Sequence, residues 1–231
     1  MPTIRKSTSA LSNAEWTAFI NAINSMHGTS AAAPAYRVFV DLHVQAFGPA
    51  GHSWGVHTMP QMGMVGVNFF TWHRRFLHSF ERRLGVALPY WDWVANPALP
   101  PKISTPALLA SWSVTRNWNA NFLPGQQNVD AVMSSTTFDA FQSTLEGGPH
   151  AGGHIAVGGT MNSASSPADP IFWMHHANID RLWTIWQQTN PTKKPDNLAA
   201  NLLPTNSGGI ISGRVRDTLD LSPAGLDYVY Q

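Results

Sequence analysis

The sequence predicts a mainly α-helical protein that forms a single domain over residues 1–231, with few short strands. Apolar side chains recur at helical spacing in five separate stretches. The chain is 43% apolar and only 12% charged, which supplies enough apolar surface for one large core. No internal repeat and no convincing linker divides it. A bundle of helices around one core is therefore expected.

The composition excludes several classes of protein. The net charge is +1 and Lys/Arg clusters are short, so nucleic acid is not an expected partner. No run of about 18 apolar residues is present, so no membrane association is expected. Without cysteine there are no disulfides, thiolate metal sites or cysteine nucleophiles. The N-terminus lacks the apolar segment of a secretory signal, which favours a cytoplasmic location.

The first two helices are marked by caps and by apolar stripes. Ser12 and Glu15 form a predicted capping box at the start of the first helix, which is expected to stop near residues 27–28. A second helix is expected after Pro34, and His43 falls on its apolar stripe. The Gly- and Met-rich loop that follows, residues 48–66, carries His52 and His57.

Three further helices are expected. One covers "NFFTWHRRFLHSFERRLG" with His73 on its inward face, one ends near residues 145–147, and the last begins within "DPIFWMHHANIDRLWTIWQ" at residues 169–187. The segment from Lys102 to Asn128 is weakly patterned. The tail "GGIISGRVRDTLDLSPAGLDYVYQ" is expected to add a short hairpin.

Ten histidines, roughly double the ordinary number, call for an explanation in a chain so poor in charge. A lone histidine on an apolar helix face is usually a hydrogen-bonded core residue. Here His43, His73 and one of the pair His175/His176 all lie on apolar faces of separate helices. Helix bundles build metal sites from such inward-facing residues.

His150 and His154 have the i, i+4 spacing that places two imidazoles on one side of a helix. The two glycines in "PHAGGH" each disfavour a helix by about 1 kcal/mol relative to Ala. A Gly-rich loop with two solvent-exposed histidines is the alternative interpretation. If the segment is helical, something such as a bound metal fixes its backbone.

The residue types restrict the metal. Neutral imidazole suits Cu, Zn, Fe and Ni, but one zinc ion would leave several histidines unused, and non-haem iron usually takes a carboxylate as well. Two clusters of three histidines, each built around a pair of helices, indicate two copper ions. Two adjacent cuprous ions can deliver two electrons to dioxygen.

Two of these segments resemble the motifs of a known family. "NFFTWHRRFLHSFE" is similar to the copper-A signature of tyrosinases, and "DPIFWMHHANIDRLWTIWQ" is similar to the copper-B signature of type-3 copper proteins. That group comprises tyrosinases, catechol oxidases and molluscan haemocyanins. "LPYWDW", "IRKS" and the terminal "YVY" resemble further landmarks, so the resemblance covers nearly the whole chain. It is closest to a short, bacterial-type tyrosinase core without a C-terminal domain.

The resemblance implies the ligands of both coppers. His43 and His73 correspond to copper-A ligands, and His57 is preferred over His52 as the third because it lies nearer to His73 in the chain. The family usually has this histidine about nine residues before the Trp-His-Arg histidine, where this chain has Met64. For copper B the resemblance implies three ligands, and the motif spacing selects the second histidine of the doublet: His150, His154 and His176.

The resemblance also implies further site residues. Glu146 is similar to the family glutamate that orders a water near the coppers, and so is expected to act in catalysis. Ala151 stands where an Asn often follows the first copper-B histidine, which argues against hydroxylation of monophenols. Ala151 is also expected to contact substrate, together with Ile155, Ser163 and Ala164, and no bulky residue is expected over copper A.

The implied function is that of a binuclear copper oxidase that uses O₂ to oxidise o-diphenols to o-quinones, with some ortho-hydroxylation of monophenols. The expected partners are a phenolic small molecule and O₂, and a copper-delivery partner is compatible with the resemblance. Alternatives on the same site are a haemocyanin-like oxygen carrier and an o-aminophenol oxidase. The oligomeric state stays open.

Overall fold

The computed structural model describes residues 1–27, 35–202 and 210–231, apart from the side chains of residues 49, 50 and 52. In chain order the regular elements of these residues are β1 Thr3–Arg5, α1 Asn13–Met26, α2 Ala35–Phe47, α3 Phe69–Leu84, α4 Pro106–Ser111, α5 Gln126–Met133, α6 Phe138–Leu145, α7 Ala151–Val157, α8 Ile171–Thr189 and β2 Tyr228–Tyr230. No helix in these ranges is both long and apolar enough to cross a bilayer.

The mainly helical fold class is confirmed, and α3 and α8 lie at its centre. The rings of Phe80 on α3 and Trp173 on α8 stack in parallel with their centroids 3.5 Å apart. The helix α1 packs against α2 and α3 and begins at the predicted capping box of Ser12 and Glu15. The extensive aromatic core leaves the two central helices few alternative registers, because close-packed interiors tolerate little displacement.

The strands differ from the sequence-based expectation. β2 does not form a hairpin within the tail; it pairs in parallel with β1, so that Ile4 lies opposite Val229. The predicted hairpin is therefore wrong. The pattern "YVY" did indicate a strand, but its partner is at the other end of the chain, where local sequence cannot show it.

A buried ionic network lies beneath the two strands. Arg5 donates two hydrogen bonds to Glu81, at 3.0 and 2.8 Å, and Arg74 pairs with Asp180. The hydroxyls of Tyr228 and Tyr230 also donate to Asp180. Both arginines are fully buried, and each charge has an opposite charge, as burial requires. The network joins α3, α8, β1 and β2.

The weakly patterned middle contains more structure than its sequence indicates, since α4 and the start of α5 lie within residues 102–128. Arg116 ties this segment to the core through two 2.7 Å hydrogen bonds to Asp169. Asp169 also accepts the backbone N–H of Ile171, where α8 begins. The "DP" of the predicted copper-B motif therefore anchors the start of the helix that carries His176.

Candidate metal centre

Six histidines converge between the central helices in two groups of three. Within each group the candidate ligand nitrogens lie within 4.8 Å of one another. The rings of His73 and His176 link the groups by stacking at 4.5 Å. The groups are those predicted from the sequence: His43, His57 and His73 in the first, and His150, His154 and His176 in the second.

Two helices and one loop build the first group. His43 lies on α2 and His73 on α3, while His57 comes from the loop between them. The ring of Phe47, one turn after His43, stacks on His57 at 4.1 Å and holds the loop histidine in place. His57 thus has the position predicted for it; the side chain of its rival, His52, lies outside the described residues.

The second group depends on an unusual turn of helix. The chain leaves α6 through a π-helical turn, Glu146–His150, and continues directly into α7, so the segment is helical and not a Gly-rich loop. Pro149 lies inside this turn. π-Turns widen the backbone spiral and often occur at functional sites. Here the turn places His150 beside His154, with ring centroids 4.6 Å apart.

Four of the six rings are oriented by backbone carbonyls. Because a carbonyl can only accept, each Nδ1 must carry the proton, and in a neutral ring this leaves the Nε2 lone pair free. The bonds run from His43 to Ala164 at 2.7 Å, His73 to Phe69 at 2.8 Å, His150 to Glu146 at 3.0 Å and His154 to Met161 at 2.6 Å.

The nitrogens that remain fit a pair of metal ions. The Nε2 atoms of His43, His57, His73 and His150 are buried without a hydrogen-bond partner. The Nε2 atoms of His154 and His176 face each other at 3.1 Å, so a proton or a metal ion must lie between them. Buried polar atoms are rarely left unpaired in proteins. Six nitrogen donors in two groups of three suit copper.

Burial also keeps these rings neutral. It lowers the pKa of His43 to about 3 and that of His154 to about 4, because a charged imidazole would lose its hydration. The pKa values of the other four are lowered well below the ordinary value, again mainly by burial. Neutral imidazole is the form that binds a metal ion.

The other histidine of the doublet, His175, turns away from both groups. Its Nε2 donates to the backbone carbonyl of His150 at 3.0 Å, and its ring lies against Trp93. A Cβ at Gly153 would come within 2.2 Å of this ring. The close approach of α7 to His175 thus leaves no room for a side chain at Gly153.

A cavity of about 310 Å³ opens onto the two groups of histidines. The four residues predicted to contact substrate all line it: Ala151, Ile155, Ser163 and Ala164. Sequence reasoning missed the rest of the wall, which includes Phe47, Met161, Asn162 and Ser166. The helical spacing of Phe47 from His43 was the one available signal for these residues. The volume suits a single aromatic ring.

Glu146 lies at the start of the π-turn, with its carboxylate held by Thr58. One carboxylate oxygen accepts the backbone N–H of Thr58 at 2.7 Å and the other accepts its hydroxyl at 2.8 Å. Burial raises the pKa of Glu146, and these two bonds oppose the shift. Thr58 directly follows His57, so the bonds fix the histidine loop to the π-turn, a role that the sequence did not reveal.

Two further histidines and two ion pairs lie away from the two groups. The ring of His27 packs on Tyr36 with centroids 4.0 Å apart, and His78 is half-buried. Asp92 pairs with Arg181 at 3.5 Å. Arg74 and Asp180 form an ion pair that connects helices and does not touch a ligand ring.

The amino-acid sequence is similar to those of known proteins. The common central domain of tyrosinase matches residues 33–112 and 104–189. The tyrosinase of Streptomyces antibioticus is 32% identical over 240 aligned residues, which cover 82% of this chain and 85% of the relative. The chain belongs to the tyrosinase family. The tyrosinase of Streptomyces lincolnensis is also 32% identical, and its alignment covers 82% of this chain and 84% of that tyrosinase.

Solved structures agree with a tyrosinase-family fold. A polyphenol oxidase variant from Thermothelomyces thermophila is similar with a TM-score of 0.73 at 19% identity, covering 100% of this chain and 89% of that one. A functional unit of octopus haemocyanin is similar with a TM-score of 0.69 at 20% identity. This match covers 99% of this chain and 68% of the haemocyanin chain. The expected family resemblance is confirmed, and the paired histidine groups make this a binuclear copper centre.

Proposed function

We propose that this protein is a tyrosinase-family copper oxidase that converts o-diphenols to o-quinones with O₂. One observation carries the proposal. Six neutral imidazoles gather in two adjacent groups of three, with four of their Nε2 atoms buried without a partner, and a cavity sized for one aromatic ring opens directly onto them. The tyrosinase names of the Streptomyces relatives support the same activity.

Each copper ion would be held by one group of three histidines, and the pair would exchange two electrons with O₂ and with the diphenol. The protein fixes geometry and access. Carbonyl bonds prevent four of the six rings from rotating, so their donor nitrogens are preorganised before any metal arrives. His57 lines the cavity, flanked by Phe47, and these two rings offer a wall against which a phenol ring can lie.

Hydroxylation of monophenols is a finer proposal. It needs a group that removes the phenol proton, and Glu146 is the nearest carboxylate in the chain sequence to His150. Its two Thr58 bonds hold the carboxylate still and occupy one position on each oxygen. Ala151 supplies no polar group beside His150 to help orient a water. We therefore expect catechol oxidation to exceed monophenol hydroxylation.

Oxygen carriage is the rival function, because octopus haemocyanin shares the fold. The open cavity favours an enzyme. Ile155 at its rim is 40% exposed, and Ser163 beside it is small. A phenol can therefore reach the histidines. Oxidation of o-aminophenols at the same centre stays a second alternative, and delivery of copper by a partner protein stays a prediction.

The test combines metal analysis with substrate assays. The purified protein is loaded with copper, its metal content is measured, and quinone formation and O₂ uptake are followed with catechol, o-aminophenol and tyrosine. We expect two coppers per chain and rapid catechol oxidation. One copper or none would contradict the binuclear centre, whereas reversible O₂ binding without quinone would support the carrier.

A further inference from the structure

A second cavity lies on the far side of α3 from the copper centre. It measures about 660 Å³, and three arginines of α3 line it: Arg75, and about two turns later Arg82 and Arg83. Positions 75, 79, 82 and 83 share one face, because residues three or four apart on a helix are neighbours. The cavity therefore gathers three cations on a chain with a net charge of only +1.

These three arginines have no carboxylate partner among the described residues. Every ion pair found there involves other cations. The Nε of Arg75 is buried without a hydrogen-bond partner. The undescribed residues 28–34 and 203–209 contain no Asp or Glu, so they cannot supply the missing charge.

The dipole of α3 and the carboxylate of Asp217 account for only part of this arrangement. The negative end of the dipole favours cations in the last turn, which explains Arg82 and Arg83 but not Arg75. Asp217 is near Arg75, since a Cβ built at Gly213 would lie 3.0 Å from both side chains. Its Oδ2, however, already accepts the backbone N–H of Arg214 at 2.7 Å.

Among the described residues, the rest of the lining is apolar or neutral. Phe39 is a buried residue of the core, and Val38 is 45% exposed beside it. Ile210 adds a third apolar side chain. Burial, with repulsion from Arg75, lowers the pKa of His78 to about 4, so its imidazole is neutral at pH 7. The cavity thus combines an apolar floor with a cationic rim.

We propose that this cavity, the arginine cavity, binds a small amphiphilic carboxylate, meaning a carboxylate joined to an aliphatic or aromatic body. The planar guanidinium fork matches the two oxygens of a carboxylate. The body would cover Val38 and Phe39. This site goes beyond the proposed oxidase function and depends on neither copper nor its ligands.

Calorimetric titration of the whole chain with octanoate tests the proposal, in both the metal-free and the copper-loaded protein. A single saturable site is expected in both forms, because a carboxylate that merely coordinated copper would bind only the loaded form. Acetate should bind about tenfold more weakly or worse, because it lacks six methylenes that the apolar floor would cover. If acetate bound as tightly as octanoate, the apolar floor would not contribute to binding, and the proposal of an amphiphilic ligand would be contradicted.

A pair of matched double variants locates the site. Replacing Arg82 and Arg83 by Gln removes two exposed cations from the arginine cavity, whereas Lys193→Gln with Lys194→Gln removes two exposed cations elsewhere. Because charge-assisted hydrogen bonds are lost, the affinity for octanoate should fall by about tenfold or more in the first variant. The affinity of the second variant should stay within about twofold of the parent value. Equal weakening in both, no weakening in either, or no saturable binding to the parent would overturn the proposal.

Discussion

His175 donates a hydrogen bond from Nε2 to the backbone carbonyl of His150, at 3.0 Å. One member of the histidine doublet therefore holds the peptide that carries a candidate ligand, while its neighbour His176 belongs to the second group itself. His175 is a positioning residue, since its ring is fully buried and has no access to the cavity.

Removing this hydrogen bond should weaken copper binding. His175→Phe keeps a ring of similar shape but cannot donate to the carbonyl of His150, so copper affinity of the second group should fall by about 10- to 100-fold. His175→Gln retains a donor and should recover part of the loss. Competition with a chelator measures the affinity. His78→Phe is the control, and it should bind copper as the parent does.

Gly153→Ala should destabilise the protein. The added methyl would meet the fully buried ring of His175 at 2.2–2.9 Å, and overpacking of this kind usually reduces stability by about 1–3 kcal/mol. Gly147→Ala is the matched control, because no atom lies within 4 Å of a Cβ at that position. Urea denaturation measures both variants. Equal stability of the two would show that α7 can move away from His175.

The loop ligand can be tested by copper stoichiometry. His57→Ala removes a nitrogen of the first group and should leave about one copper per chain, because three nitrogens hold each ion. His52→Ala should retain two. Metal analysis after dialysis gives the counts, together with catechol oxidation. Two coppers in His57→Ala, or one in His52→Ala, would show that the assignment of the loop histidine is wrong.

Asp180→Asn should lower stability severely. The substitution removes the negative charge that balances buried Arg74, and breaking a buried pair in this way usually lowers the free energy of unfolding by about 3–5 kcal/mol. Thermal denaturation of the metal-free protein measures the effect without a contribution from copper. Asp196→Asn, at an exposed position, should stay near the parent value. A melting temperature unchanged by Asp180→Asn would contradict the network's structural role.

Glu146→Gln should separate the two phenol reactions. Gln can still accept the Thr58 N–H and donate to its hydroxyl, so the loop should stay in place, but it cannot take a proton. Any monophenol hydroxylation should fall by about 100-fold or more, whereas catechol oxidation should stay within about threefold. Initial rates with tyrosine and catechol test this. A parallel loss of both rates, with copper content unchanged, would make Glu146 a residue of the common oxidation step.

The sequence predicted the helices that carry the histidines because those helices are amphipathic. His43, His73 and His176 lie on apolar stripes, and a stripe on a helix must face the core. The motif spacing within the family resemblance then separated His176 from His175, which periodicity alone left undecided. Both residues prove to be fully buried, so burial would not have distinguished them either.

The features that escaped prediction depend on contacts between distant parts of the chain. Thr58 and Glu146 are 88 positions apart, and the carbonyl of Ala164 is 121 positions from His43. Backbone acceptors leave no trace in side-chain patterns. The short helix α4 had a local signal, Thr105 followed by Pro106 at its first position, but six residues give too few turns for a recognisable stripe.

The pairing of β1 with β2 constrains the order in which the protein can fold. Arg5 and Tyr230 bond across 225 positions, and both contact Asp180 on the helix that bears His176. During synthesis β1 must therefore wait for residues up to Tyr230 to emerge before this closure forms, and closures over such separations are slow. The hydrogen bonds that fix Asp180, on the helix that bears His176, are therefore complete only after Tyr230 has been synthesised.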